Sequence, residues 1–159
     1  MTCSQSDSTP RRHIHSADLP APMTTASSPS NTDSKAGALS AVHAWMNAVN
    51  RHDLDAIVAA FAHDASFFGT STQTLVKASD GIRDYFDIVL KNYAPLSAAL
   101  GQITVNELSS SSVVVTGYDR WQLTVEGKQV EGIGRLSIAI ALRDGRWQIV
   151  SFHRSAIPT

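Results

Sequence analysis

The sequence has a single cysteine, Cys3, among 159 residues, so it cannot form a disulfide within the chain or a site that needs several thiolates. Charged residues are also few, at 17%, and they nearly cancel to a formal net charge of −1. A chain without excess positive charge has little electrostatic attraction for nucleic acid or for an anionic membrane. We therefore expect neither nucleic acid nor a membrane as a partner.

Long hydrophobic runs are missing as well, because no stretch approaches the roughly 20 apolar residues of a membrane-spanning helix. The N-terminal residues lack the apolar segment of a secretory signal, and we expect a cytoplasmic protein. His43, His52 and His63 do not have the spacing of a metal-binding pair. We therefore expect no metal and no cofactor.

Residues 1–37 are rich in Ser, Thr, Pro and Ala and poor in large apolar side chains. Such a segment cannot bury enough apolar surface to offset the entropy that is lost on ordering. We predict a disordered tail over residues 1–37 and one folded domain over residues 38–159, since 43% hydrophobic residues suit a single core. Arg11 and Arg12 in this acid-poor segment leave an organelle transit peptide as the alternative.

Three helices are predicted in the first half of the domain. Apolar residues recur at three- and four-residue intervals over residues 38–50, which is typical of an amphipathic helix. Asp53 can cap a second helix that ends near Asp64, and Ser79 or Asp80 can cap a third.

Strands follow in the second half. Two pairs, Glu126-Gly127 and Asp144-Gly145, indicate two-residue hairpin turns, whose type I′ geometry needs positive φ at both central residues. Helices followed by a meander predict an α+β fold, a cone in which the helices cover one face of a curved antiparallel sheet. The predicted strands are residues 65–70, 98–108, 112–125, 128–142 and 146–156.

The two turns predict a register for the last three strands. Counting back from the last turn sets Arg154 opposite Arg135, and counting from the turn before it pairs Tyr118 with Arg135. Arg120 points to the same side as Tyr118. Like charges that face each other across strands destabilise a sheet unless an anion or a carboxylate lies between them. We therefore predict an anion site at the open end of the cone.

The opposite face of the same strand carries an apolar row in this register. Its members, which alternate away from the arginines, are Leu136, Ile138, Ile140 and Leu142. An apolar row of this size is rarely left in water, so we expect it to mediate self-association.

The end of the chain carries a distinctive pattern. Residues 143–150 read Arg-Asp-Gly-Arg-Trp-Gln-Ile-Val, residues 152–155 read Phe-His-Arg-Ser, and residues 83–87 read Arg-Asp-Tyr-Phe-Asp. This pattern closely resembles the association (hub) domain of calcium/calmodulin-dependent protein kinase II, within the nuclear transport factor 2-like and SnoaL-like superfamily. The resemblance covers about residues 38–158. It implies a cone-shaped domain that assembles into a homodimer or a larger ring.

The resemblance also implies a pocket in which arginines hold a small carboxylate. Arg154 matches a family arginine directly, whereas Tyr118 and Ile138 stand where the family has the other two. Arg135 and Arg120 would then substitute from shifted positions. Arginine suits this task because its planar fork binds a carboxylate in bidentate fashion.

We predict a stand-alone association domain that self-assembles, binds a small carboxylate or related anion, and is not an enzyme. The alternative is a small-molecule enzyme of the ketosteroid isomerase or SnoaL-like type, for which Asp64 and Asp84 would be candidate general bases. A third alternative is a module that docks on a partner enzyme; no basic amphipathic helix supports calmodulin binding. The predicted ligand-binding residues are Arg154, Arg135, Arg120, Tyr118 and Tyr85.

Overall fold

The computed structural model describes residues 31–94 and 96–158. In this part of the chain, helices pack on a curved, unclosed sheet that is mainly antiparallel, which confirms the predicted α+β fold. The helices are α1 (Asn31–Asn50), α2 (Leu54–Ala59) and α3 (Ala78–Asn92). The strands are β1 (Phe61–Phe68), β2 (Val76–Lys77), β3 (Leu96–Ser109), β4 (Ser112–Val125), β5 (Lys128–Arg143) and β6 (Arg146–Ala156).

The strands lie in the order β2-β1-β6-β5-β4-β3. Strand β1 runs parallel to β6, and the other neighbours are antiparallel. The last three strands begin and end within about one residue of the predicted bounds. The second helix, which was predicted to end near Asp64, ends at Ala59 instead. The first strand therefore begins at Phe61 rather than at residue 65.

Helix α1 begins at Asn31, so residues 31–37 belong to a helix and not to the predicted disordered tail. Packing explains the difference. The hydroxyl of Ser34 donates to the carbonyl oxygen of Ser110 at 2.9 Å, and a Cβ at Gly37 would clash with the indole of Trp147. Residues 1–30 of the predicted tail lie outside the described residues.

The helix starts differ in how they are capped. Asp53 caps α2 as predicted, since its carboxylate accepts from the backbone N–H of Ala56 at 3.0 Å. The predicted Ser79 or Asp80 cap of α3 is wrong, because the N-cap residue is Lys77 and it makes no side-chain capping bond. Lys77 pairs with Ser66 in the sheet, so the chain passes directly from β2 into the helix.

Both predicted hairpin turns are confirmed. The φ angles are 50° and 77° at Glu126 and Gly127, and 51° and 73° at Asp144 and Gly145. These positive values are those that a type I′ turn requires. The predicted pairing of Tyr118 with Arg135 is confirmed as well.

The predicted pairing of Arg154 with Arg135 is wrong because of a β-bulge. The register of β5 and β6 follows the prediction as far as Ile140, which pairs with Ile149, but Ala139 then pairs with Ser151. Val150 is therefore an extra residue, and a bulge of this kind moves every later side chain to the other face of the sheet. Arg154 lies opposite Leu136 instead.

The core lies between the helices and the inner face of the sheet. The row that was predicted to mediate assembly is part of it: Leu136, Ile138 and Ile140 are 3%, 0% and 1% exposed. That prediction is wrong because α1 and its neighbours cover this face, and Arg135 points to the opposite, outer face. Other core residues are Val42, Val49, Ile57, Phe61, Ile82, Val113, Val115 and Ile149.

Candidate ligand-binding cavity

A cavity of about 270 Å³ opens between α3 and the inner face of the sheet. Its most deeply buried walls are aromatic, whereas the exposed Thr70 and Ser71 lie at its rim. The lining residues are Trp45, Phe67, Gly69, Thr70, Ser71, Tyr85, Phe86, Val89, Tyr93, Leu96, Trp121, Leu123, Gly132, Phe152 and Arg154.

Aromatic rings that pack on one another build the inner walls. Phe67 of β1 and Phe152 of β6 are stacked, with ring centroids 5.0 Å apart and planes at 9°. Trp45 of α1 lies 5.1 Å from Phe152, and Phe86 of α3 meets Phe67 edge-on at 5.6 Å. Such ring pairs stabilise a wall beyond their buried area, so the cavity has a rigid apolar interior.

One buried ion pair lies at the polar corner of this cavity. Arg154 donates from Nε to Oδ2 of Asp119 at 2.7 Å, and the two side chains are 14% and 0% exposed. Asp119 also accepts from Nε1 of Trp121 at 2.6 Å and from the backbone N–H of Gly134 at 3.1 Å. Three donors thus satisfy a carboxylate that would be costly to bury alone.

Gly134 makes room for this pair. It lies on β5, between Asp119 of β4 and Arg154 of β6. A Cβ at Gly134 would lie 2.5 Å from Nη2 of Arg154 and 2.6 Å from Oδ1 of Asp119. The guanidinium can therefore cross the strand only because residue 134 has no side chain.

The guanidinium of Arg154 has further contacts at the rim. Its Nη1 donates to the hydroxyl of Thr70 at 2.5 Å, and its Cζ lies 5.1 Å from the ring centroid of Trp121. Its Nη2 donates to no side chain or carbonyl among the described residues. Arg154 therefore lines the cavity with a guanidinium whose charge Asp119 already balances.

Tyr85 is the second predicted site residue that lines the cavity. Burial raises the pKa of its hydroxyl, while a hydrogen bond with Ser71 and the positive charge of Arg154 act in the opposite direction. The ring covers Gly69, where a Cβ would clash with the Tyr85 hydroxyl. Tyr85 is therefore neutral at ordinary pH and can act as a hydrogen-bonding group.

The structure does not bring the other predicted site residues together with Arg154. Tyr118 is 45% exposed, Arg120 is exposed, and Arg135 donates to the carbonyl oxygen of Ala156 at 3.3 Å. All three point to the outer face of the sheet, and none lines the cavity. The arginine row that the register predicted is divided between the two faces by the bulge at Val150.

The sequence reasoning missed Asp119, although the sequence carries a signal for it. The odd-numbered residues Val113, Val115 and Trp121 point inward on β4 and are buried. Residue 119 is also odd-numbered and therefore points inward as well. A charged residue at an inward position of a strand needs a partner of opposite charge. This pattern could have indicated that Arg154 pairs with a carboxylate of the protein itself.

The two candidate general bases lie outside the cavity. Asp64 forms an ion pair with Arg143 at 2.6 Å, and that hydrogen bond holds the pKa of the Asp64 carboxyl below its ordinary value. Asp84 is exposed on α3. Neither carboxylate can reach a molecule bound among the aromatic residues, and the lowered pKa of Asp64 makes it a weaker base.

Two kinds of feature are absent from the described part of the chain. No group of three or more His, Cys, Asp or Glu side chains there could hold a metal ion. No helix there is long and apolar enough to cross a membrane.

The cone, its helices and its cavity define the nuclear transport factor 2-like fold. The model of the SnoaL-like domain matches residues 38–159, so the chain belongs to the SnoaL-like domain family. A comparison with curated proteins gives no match.

Solved structures share this fold at low sequence identity. One is a protein from Xanthomonas campestris that is described as a candidate calcium/calmodulin-dependent protein kinase II association domain. It is 24% identical, with a TM-score of 0.70, and the match covers 76% of this chain and 86% of that protein's chain. A candidate aromatic ring hydroxylase from Novosphingobium aromaticivorans is 19% identical, with a TM-score of 0.73 and coverages of 82% and 94%. A ketosteroid isomerase-like protein from Erwinia carotovora atroseptica is 16% identical, with a TM-score of 0.69 and coverages of 80% and 98%.

Proposed function

We propose that the cavity binds a small, uncharged and mostly apolar molecule that presents an acceptor oxygen to Arg154. The observation that carries this proposal is the ion pair between Arg154 and Asp119 at 2.7 Å, with both side chains largely or fully buried. The pair gives the polar corner of the cavity no net charge, while Nη2 of Arg154 remains available as a donor.

This charge balance revises the expectation of a carboxylate ligand. A carboxylate bound here would bring a second negative charge beside Asp119, within walls that are largely aromatic. Burying a charge without a matching countercharge is unfavourable, whereas a ketone or amide oxygen accepts the same hydrogen bond without that cost. We therefore expect neutral ligands to bind more tightly than their carboxylate analogues.

The cavity volume limits the size of the ligand. Sites for drug-sized molecules commonly measure about 300–1,000 Å³, and an apolar cavity of about 150 Å³ accepts benzene. At about 270 Å³, this cavity suits a substituted single ring.

The proposed role is binding and not proton abstraction. An isomerase of the ketosteroid type needs a carboxylate or an imidazole that can take a proton from the ligand. The titratable residues that line the cavity are Tyr85, Tyr93 and Arg154, and Asp119 behind them is committed to three donors. A reaction that uses a free general base at this site is therefore disfavoured.

A binding comparison of benzamide with benzoate tests the proposal, since the two differ little in shape and by one negative charge. We expect calorimetry or thermal shift to show benzamide binding more tightly. Gly132→Leu should abolish this binding, because Gly132 lines the cavity and a Cβ there meets nothing within 4 Å. Gly132→Ala is the matched control and should bind nearly as the wild type does. Tighter binding of benzoate would favour the anion interpretation, and no binding of either molecule would contradict the proposal.

We also propose that a second copy of this chain docks on the outer face of the sheet. The observation that favours it is a shallow depression lined by Tyr118, Ile133 and Ile157, which are 45%, 49% and 43% exposed. The neighbouring outer-face positions include Arg120 and Glu131, so the patch carries both signs of charge and can be complementary to itself. In this proposal the outer face takes the role in self-association that the sequence analysis gave to the apolar row of β5, which is buried in the core.

A further inference from the structure

We infer that residues 69–75 form a flap over the entrance of the cavity, and that the hydrogen bond between Thr70 and Arg154 is the latch that holds this flap closed. The flap is the connection between β1 and β2. The inference rests on the proposed function, because it describes how a ligand reaches the same cavity. It adds that the rate of ligand exchange is controlled by opening of the flap.

The flap forms the outermost part of the cavity wall. Gly69, Thr70 and Ser71 line the cavity. Among the lining residues, all of which the structure describes, only Thr70 and Ser71 are exposed, and the others are buried or half-buried. The entrance therefore lies beside the flap, and a molecule that enters or leaves the cavity passes it.

The two ends of the flap are firmly held. Phe67, which is 1% exposed, pairs with Val76 where β1 meets β2. A Cβ at Gly81 of α3 would lie 2.9 Å from Cγ1 of Val76, so this end of the flap packs closely on the helix. Hinges are typically a few residues at the end of an element. The flap can therefore swing about its two ends without disturbing the core.

Between its ends the flap has few attachments to the rest of the protein. The backbone N–H and the hydroxyl of Thr72 both donate to the carbonyl oxygen of Gly69, at 3.1 and 2.9 Å, so these bonds lie within the flap. The bond from Nη1 of Arg154 to the hydroxyl of Thr70, at 2.5 Å, ties the flap to the sheet. Residues 73–75 are exposed. Segments with few buried contacts open more easily than the core does.

The closed flap bridges the two walls of the cavity. On the side of α3, the hydroxyl of Tyr85 lies against the backbone of Gly69. On the side of the sheet, Thr70 accepts from Arg154, whose guanidinium is held in place by Asp119. Because Asp119 fixes the guanidinium whether the flap is open or closed, the latch can break and form again without moving the ion pair.

Stopped-flow kinetics with benzamide test the inference, followed by the fluorescence of Trp45 and Trp121, which line the cavity. Thr70→Val removes the hydroxyl of the latch and keeps the shape of the side chain. Thr74→Val is the matched control, because it makes the same change at an exposed flap residue outside the latch. Gly69→Ala opens the flap by a different cause, since the added Cβ would clash with the Tyr85 hydroxyl.

We expect Thr70→Val to raise the association and dissociation rate constants of benzamide by the same factor of about 2 to 10, as loss of one hydrogen bond from the closed state would give. The latch is present in the free and the bound protein alike, so Kd should stay close to the wild-type value. Gly69→Ala should also raise both rate constants, and Thr74→Val should change neither.

Faster dissociation from Thr70→Val with an unchanged association rate constant would show that Thr70 is an ordinary ligand contact. That result would overturn the inference while leaving the proposed function intact. Rate constants equal to the wild-type values in both Thr70→Val and Gly69→Ala would do the same. No binding of benzamide to any of the proteins would overturn both the inference and the proposed function.

Discussion

Asp119 and Arg154 lie on two strands that do not pair with each other, and their side chains meet across β5, above the backbone of Gly134. The 2.7 Å bond between them spans a strand because the intervening residue has no Cβ. The pair fixes the position of the guanidinium and balances its charge, so three residues on three strands determine the charge at the polar corner of the cavity.

Asp119→Asn should both destabilise the protein and reverse its ligand preference. Removing one partner of a buried ion pair leaves an unbalanced charge and costs about 3–5 kcal/mol of unfolding free energy. The unpaired Arg154 should then favour benzoate over benzamide. Urea unfolding and calorimetry measure the two effects. Asp64→Asn, at an exposed ion pair, is the control and should leave both quantities close to the wild-type values. An Asp119→Asn protein that still prefers benzamide would contradict the charge argument.

Gly134→Ala and Gly132→Ala form a matched pair on one strand. The first places a methyl group 2.5–2.6 Å from atoms of Arg154 and Asp119, and such overpacking costs about 1–3 kcal/mol. The second adds a methyl group with no neighbour within 4 Å, so its effect on stability should stay within about 0.5 kcal/mol. Chemical denaturation of the two variants measures the difference. Equal stabilities would show that the crossing at Gly134 tolerates a side chain.

Tyr85 should make stability depend on pH in the alkaline range. Burial raises the pKa of its hydroxyl in the folded state, so the unfolded chain releases this proton first as the pH rises. The contribution of Tyr85 to the free energy of unfolding is fully present below the pKa of about 10 that its hydroxyl has in the unfolded chain. It is lost as the pH rises through the pKa of the folded state. Tyr85→Phe should lose less stability than the wild type above about pH 10. Urea unfolding at several alkaline pH values measures this, and parallel curves would contradict the assignment.

Ile133→Glu should weaken self-association through the outer face. The substitution removes the apolar side chain of Ile133 from the contact and buries a carboxylate, whose desolvation Arg120 opposite it on β4 only partly offsets, so we expect the dissociation constant to rise by roughly one order of magnitude. Ile88→Glu is the control, because Ile88 is 57% exposed on α3, away from the sheet. Sedimentation at several concentrations measures both. A wild-type protein that is monomeric at micromolar concentration would contradict the interface itself.

Much of the fold could be predicted from the sequence because its signals are local. The turns at Asp144-Gly145 and Glu126-Gly127 follow from the backbone angles that such pairs accept, and the cap at Asp53 follows from side-chain chemistry. The bulge at Val150 could not be predicted in this way. It depends on how β6 meets β1 and β5 together, and the residue itself gives no local signal.

The candidate site was less predictable because it depends on that bulge. Arg154 was identified, but counting with an unbroken register placed it with Arg135 on the wrong face. Asp119 was overlooked, since the positive charges were compared only with one another. The paired state of Arg154 then changed the expected ligand from an anion to a neutral molecule.

The extra residue at position 150 also determines which side chains of the C-terminal strand face the core. Before it, the odd-numbered Ile149 faces the core, and after it the even-numbered Phe152 and Arg154 do. Deleting one residue there would reverse which side chains face the core from this position to the end of β6. His153 would then point into the cone, and Phe152 would be exposed. The chemistry of the cone is thus encoded partly in a residue count, because a single deletion would replace the cavity-lining Phe152 and Arg154 by their sequence neighbours without any substitution.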